Sequence, residues 1–186
     1  MSPLGPFHRH LRHFAQPSSA KITILSSLRA SLALGLDFPV ACVLSIGLRV
    51  MYGSFPFNSS IDIASISSGH LRTQLEDVPV EKNHFTRADL VDLYQNSSTS
   101  RQRGPIRRAI DTGHVISFWA MAADSKSHLV DAATLKRFQK GTWADEVVQR
   151  RSRRVDVLPL WRGGPISVSG HSWFVDKLFG VKVYQP

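Results

Sequence analysis

Apolar positions recur at helical rather than strand spacing over most of this chain. The longest apolar stretch, LDFPVACVLSIGLRVMYGSFPF, covers residues 36–57, and its run from Phe38 to Leu48 carries no charge. Ala30 to Leu36 extends it backwards, so the segment from about 30 to 53 approaches the ~20 apolar residues that a spanning helix needs. Asp37 and Pro39 interrupt it. A carboxylate at bilayer depth costs about 2.5–3.5 kcal/mol on insertion scales. The expectation is therefore a kinked interfacial or half-inserted hairpin rather than a clean span. The competing reading is a buried core helix.

Further helices are written downstream. Phe85–Gln95 places Leu90, Leu93 and Tyr94 on one face, and Thr86 with Asp89 forms a capping-box pattern. NSSTSRQRGP reads as a loop, with Pro105 near the start of a helix from Ile106 to Ala123. Asp124-Ser-Lys-Ser reads as a turn. Asp131 is placed to cap DAATLKRFQK, which Gly141 ends. In the tail, Ile166-Ser-Val-Ser and Val181-Lys-Val-Tyr read as short strands around a helical turn at Ser172–Phe179.

Composition narrows the class. The chain has 186 residues, 42% apolar and 20% charged, which suits one domain or a domain with an appendage. The formal net charge of +9 fits an anionic membrane surface or nucleic acid. A single cysteine, Cys42, excludes an internal disulfide and a multi-cysteine zinc site, and its apolar setting suits a buried structural thiol. Up to Gly53 the only acid is Asp37, against five Arg and Lys. That bias resembles a transit peptide or signal-anchor, but no charged leader runs directly into an apolar core.

Two arginine clusters stand out, one at Arg101, Arg103, Arg107 and Arg108, the other at Arg150, Arg151, Arg153 and Arg154. Neither accompanies a nucleic-acid-reading motif, and plain solvation or a membrane-facing stripe explains them as well. Eight histidines are present. His8, His10 and His13 lie in a basic stretch, and His10 and His13 share a face if that stretch is helical. Two imidazoles without a carboxylate make a weak metal site. His84 reads as a surface residue, and His114 as a satisfied core histidine. His171, in GGPISVSGHSW, is the rival candidate for ligand contact, because Gly163 and Gly164 allow close backbone approach.

The run HLRHFAQPSSAKITILSSLRASLALG, residues 10–35, resembles the caleosins, a family of membrane-surface haem peroxygenases. That family has a histidine, a phenylalanine opening one EF-hand loop, and a helix ending in Ala-Leu-Gly. Here His10, Phe14 and Ala33-Leu34-Gly35 keep those distances. The loop would run from Ala15 to Ser26, with Pro17 at position 3, Ser19 at 5, Ala20 at 6 and Ile22 at 8. Calcium needs oxygen ligands at positions 1, 3, 5 and 12, so no calcium is expected here. A second block, FWAMAADSKSHLVDAATLKRFQKGTW, resembles the family's later apolar helix, turn and helix, through Met121–Asp124, Leu129, Phe138 and Gly141. The family's proline-rich knot is reduced to Pro39 and Pro56. His128 stands where the family has an apolar residue.

The resemblance spans residues 8 to about 145. It implies a mainly α fold of caleosin-like degenerate EF-hand helix pairs around a central apolar segment, in a domain over 1–145. A small α+β C-terminal tail, 146–186, would follow. It implies haem b as cofactor, and oxygen transfer from a hydroperoxide to an unsaturated lipid or apolar natural-product-like substrate. The histidines it assigns to haem and catalysis are His10 and His70, with Ser67 at the family's alternative position. The setting it implies is an endoplasmic reticulum or lipid-droplet surface facing the cytosol. The alternatives are a non-catalytic lipid-surface scaffold of the same fold, and a basic phospholipid- or nucleic-acid-binding adaptor.

Overall fold

The computed structural model describes residues 5–52, 60–66 and 75–186. The chain is mainly helical. Its order is α1 (Pro6–His13), β1 (Lys21–Ile22), α2 (Ile24–Ala33), α3 (Phe38–Tyr52), β2 (Ile61–Asp62), β3 (His84–Phe85), α4 (Arg87–Asn96), α5 (Ser98–Arg101), α6 (Pro105–Ala122), β4 (Val130–Asp131), α7 (Ala132–Lys140), α8 (Trp143–Arg151) and α9 (Val168–Phe179). Short 3-10 turns follow β2, at Ile63–Ser65, and precede α9, at Leu160–Arg162.

The strands are two residues each and pair antiparallel, β1 with β2 and β3 with β4. Each pair buries one residue from either side, Ile22 opposite Ile61 and Phe85 opposite Val130. One local device recurs four times. The residue after each buried strand residue is Thr or Asp, and its side-chain oxygen accepts from a backbone N–H two or three residues on. Thr23 takes Ser26 N, Asp62 takes Ala64 N, Thr86 takes Asp89 N and Asp131 takes Thr134 N. Each strand thus runs straight into a capped helical turn, because those side chains satisfy orphan donors at its start.

The apolar stretch is two helices, not one. Gly35 adopts φ +88° after α2. Asp37 then opens α3, its carboxylate accepting from Phe38 N and its carbonyl from Ala41 N. The two helices bury small residues: Ser27, Ala30 and Ser31 on α2, Ala41 and Ser45 on α3. The buried hydroxyls return their protons to carbonyls within their own helices, which removes the cost of hiding them. Among the described residues no helix is long and apolar enough to cross a membrane.

Among the described residues, three apolar clusters make the core. Helices α4, α6, α7 and α8 surround Phe85, Leu90, Tyr94, Phe118 and Leu135. The β1–β2 pair packs with Leu11 of α1 and the end of α3. The third cluster joins Leu28, Leu32, Leu36 and Ala41 to Leu158, Val175, Val183 and Tyr184, so the tail packs on α2 and the start of α3.

The tail differs from its sequence expectation. No strand forms at 166–169 or at 181–184; α9 begins at Val168, and one isolated bridge joins Arg153 to Gln185. The alternation in Ile166-Ser-Val-Ser yields to Ser167, whose side chain accepts from Gly170 N and starts the helix. Helix α8 also runs across positions 145 and 146, where the domain boundary was expected.

The tail's anchoring chemistry is arginine against a helix end. The last carbonyls of α6 have no intrahelical donors and carry partial negative charge. Arg162 donates to Ala120, Ala123 and Asp124, Arg151 to Met121, and Arg150 to Ala122. Arg151 is fully buried, and Asp156 neutralises part of this cluster at 3.7 Å from both Arg150 and Arg151. Much of the second arginine cluster is therefore spent inside the molecule rather than displayed.

Candidate functional site

A cavity of about 390 Å³ lies where the three clusters meet. Helix α1 contributes Phe7, His10 and Leu11, with Phe14 just after it; α3 contributes Val43, Leu44, Gly47, Leu48, Met51 and Tyr52. Helix α6 presents His114, Ser117, Phe118 and Met121, spaced i, i+3, i+4, i+7, which is one helical face. Phe138, Trp143 and Ala144 close it from α7 and α8. The volume and the apolar walls with a few polar groups suit a small apolar ligand.

Its rim is apolar as well. Val43 is 71% and Met51 49% exposed, and Ile46 and Val50 on the same helix are exposed too. Helix α3 thus gives one side to α2, one to the cavity and one to solvent.

His10 is held firmly in the wall. Its ring lies 4.7 Å from that of Phe138, and Nδ1 accepts the Trp143 indole N–H at 3.0 Å. Burial lowers its pKa to about 4, the Phe138 carbonyl pulling the other way and Arg9 adding to the fall. The ring is therefore neutral near pH 7, and because Nδ1 is the acceptor, the proton sits on Nε2. That atom is buried without a hydrogen-bond partner among the described residues. His114 also lines the cavity, half-buried. Burial lowers its pKa, with Asp111 opposing and Arg107 reinforcing the fall.

The other expected positions are dispersed. His70 and Ser67 lie outside the described residues. His13 is lowered by burial, with Asp145 at 3.4 Å opposing. His171 stands far along the chain on α9 and pairs with Asp37 at 3.2 Å, tying the tail to the α2–α3 corner. Its pKa is lowered by burial, against the pull of Asp37. Ser26, last position of the loop opened by Ala15, is committed to backbone: its hydroxyl accepts from Thr23 N and donates to Phe14 O. Among the described residues no group of three or more His, Cys, Asp or Glu is placed to hold a metal ion.

The fit of haem to these residues is uneven. A ligating imidazole normally donates its second N–H to an acceptor, which leaves the other nitrogen's lone pair for iron. His10 has the reverse arrangement, its outer nitrogen accepting from Trp143. Neither of its nitrogens offers a free lone pair to the cavity. His114, on the cavity-facing side of α6, is the other imidazole in the wall. Sequence reasoning set it aside as a core histidine; its spacing to Ser117, Phe118 and Met121 was the signal that could have found it.

No protein-family model, curated protein or solved structure matches the chain.

Proposed function

We propose that this protein acts at a lipid surface on an apolar molecule held in the α1–α3–α6 cavity, as a haem-dependent peroxygenase of the caleosin type. The observation that carries the reading is an apolar cavity with two neutral imidazoles in its wall and a rim on the exposed apolar stripe of α3. The fourfold strand-and-cap device supports degenerate EF-hand-type pairs, since an EF-hand loop also leads its apolar strand residue into the exiting helix. Helix α3 would lie in the interface plane, its exposed valines and isoleucine against acyl chains. The basic net charge favours anionic headgroups.

Haem, when bound, supplies the acceptance of one oxygen atom from a hydroperoxide and its delivery to a double bond. His114 would hold it from α6. The phenylalanines, leucines and methionines of the cavity orient an unsaturated chain and exclude water. His10, fixed by Trp143, positions the α1 wall and keeps it uncharged.

A non-catalytic lipid-surface scaffold is the second reading, favoured by the engagement of His10 Nδ1. One experiment separates them. The protein is expressed with haem precursor, and its absorption spectrum is recorded with His114→Ala, His10→Ala and His70→Ala beside it. A Soret band lost in His114→Ala, with hydroperoxide-dependent epoxidation of an unsaturated fatty acid, supports the peroxygenase. A protein that stays colourless with added haemin yet floats with liposomes overturns it in favour of the scaffold.

A further inference from the structure

A second cleft, of about 410 Å³, lies on the molecule between the start of α4 and the 3-10 turn before α9. It is unrelated to the cavity above. Thr86, Arg87, Trp119, His128 and Trp161 border it, and no carboxylate does. Its aromatic wall is layered. The Trp119 and Trp161 rings stand 5.7 Å apart at 38°, and His128 meets Trp161 edge-on at 5.2 Å. The Arg162 guanidinium lies 5.1 Å from Trp119 and 5.9 Å from Trp161.

Two features of this wall are costly if it is only surface, and a third leaves a charge available. Trp161 leaves 63% of its area in water, although indole is among the side chains that gain most from burial. His128 holds φ +59°, a left-handed conformation that is uncommon outside glycine and that recurs at ligand sites. Arg87 is exposed, its guanidinium 6.0 Å from Trp119, and makes no hydrogen bond or ion pair among the described residues.

We propose that this cleft is a binding site for a flat aromatic anion, an aromatic carboxylate in the first instance, stacked on Trp161 with its charge toward Arg87. The ring choice follows from the exposed indole, whose face accepts any flat π-system. The charge choice follows from the electrostatics. Arg162 spends its donors on carbonyls at and just after the end of α6 yet keeps its positive charge beside the indoles, and Arg87 adds a second charge with donors to spare. A quaternary ammonium, the usual guest of indole-lined sites, is repelled by that pair. A neutral ring forgoes the Arg87 contact.

The test uses 2-naphthoate and its neutral analogue 2-naphthylmethanol, titrated calorimetrically into the full chain, Trp161→Ala and Arg87→Gln. Both side chains are exposed, and thermal unfolding of each variant checks that the fold is kept. Loss of stacking should weaken naphthoate about tenfold or more in Trp161→Ala. Loss of the charge contact should weaken it about threefold in Arg87→Gln, and the alcohol should match that loss in the unaltered protein. Naphthoate binding that ignores Trp161→Ala, an alcohol that binds as tightly as the acid, or no naphthoate binding up to millimolar concentration each overturns the proposal. Trp161→Ala that weakens liposome flotation while naphthoate binding is unchanged overturns it in favour of a lipid anchor.

Discussion

Replacing Tyr184 by phenylalanine removes one oxygen atom and tests how the tail is held. The ring is fully buried among Leu36, Leu158 and Val183. Its hydroxyl donates to the Gly35 carbonyl at 2.9 Å and accepts from Leu158 N at 3.0 Å. Phenylalanine keeps the ring and its packing, so no large cavity complicates the result. Two buried backbone groups lose their partner, at about 1–3 kcal/mol each, and a total near 3 kcal/mol is expected. For a chain of this length that is a fall of about 10 °C in Tm. With a urea slope of about 2 kcal/mol/M, the midpoint should drop about 1.5 M. Limited proteolysis should also cut the segment after Arg151 sooner in the variant. A change below about 0.5 kcal/mol, the usual range of a surface substitution, would refute the claim that this hydroxyl ties the tail to the α2–α3 turn.

Other substitutions probe other joints. Gly35→Ala drives a Cβ into the Tyr184 hydroxyl at a backbone φ of +88°, so it should cost more than Tyr184→Phe in the same urea titration. Arg162→Met leaves three carbonyls at and just after the end of α6 without their donor and should lower stability by about 3–5 kcal/mol, a loss that Arg162→Lys only partly restores because one ammonium cannot span all three. Stability should fall with acid: His10 has a folded pKa of about 4, below the unfolded value of 6.5, so the unfolded chain binds the extra proton. That contribution is complete above pH 6.5 and fades as pH drops toward 4, by about 2 kcal/mol at pH 5. His10→Asn, which keeps an acceptor for Trp143, should flatten the urea-midpoint profile across that window. Val43→Asp with Val50→Asp should abolish liposome flotation while leaving the Tm within a few degrees, since both side chains are exposed.

Much of the local structure was legible in the sequence. The Thr86–Asp89 capping box, Pro105 at the start of α6, the Asp131 cap and the Gly141 stop all act over three or four residues, and each stands where its residues call for it. The break at Asp37 was legible for the same reason: a carboxylate beside a proline cannot continue a buried helix, but it can start one. The caleosin resemblance pointed to His10 as a haem-linked residue, and His10 lines the cavity. Its partner Trp143 lies 133 positions away, so the proton placement that spacing leaves open is set only by packing.

The tail shows the same division. Alternating residues at 166–169 favour a strand only if another strand is there to pair with; in the absence of that edge, the Ser167 cap and the burial of Val175 select a helix. The arginines at 150, 151 and 162 look like surface charge in a linear reading. Tertiary structure brings them to the orphaned carbonyls of α6, where a guanidinium satisfies acceptors that water would otherwise have to reach. Local signals in the sequence set where α4, α6 and α7 begin and where α7 stops, since caps, glycines and prolines act on their own neighbours, whereas α5 and the start of α9 were not legible. Which faces meet was decided by the tertiary structure, because the cavity, the neutral His10 and the paired indoles each depend on residues that sequence separation hides.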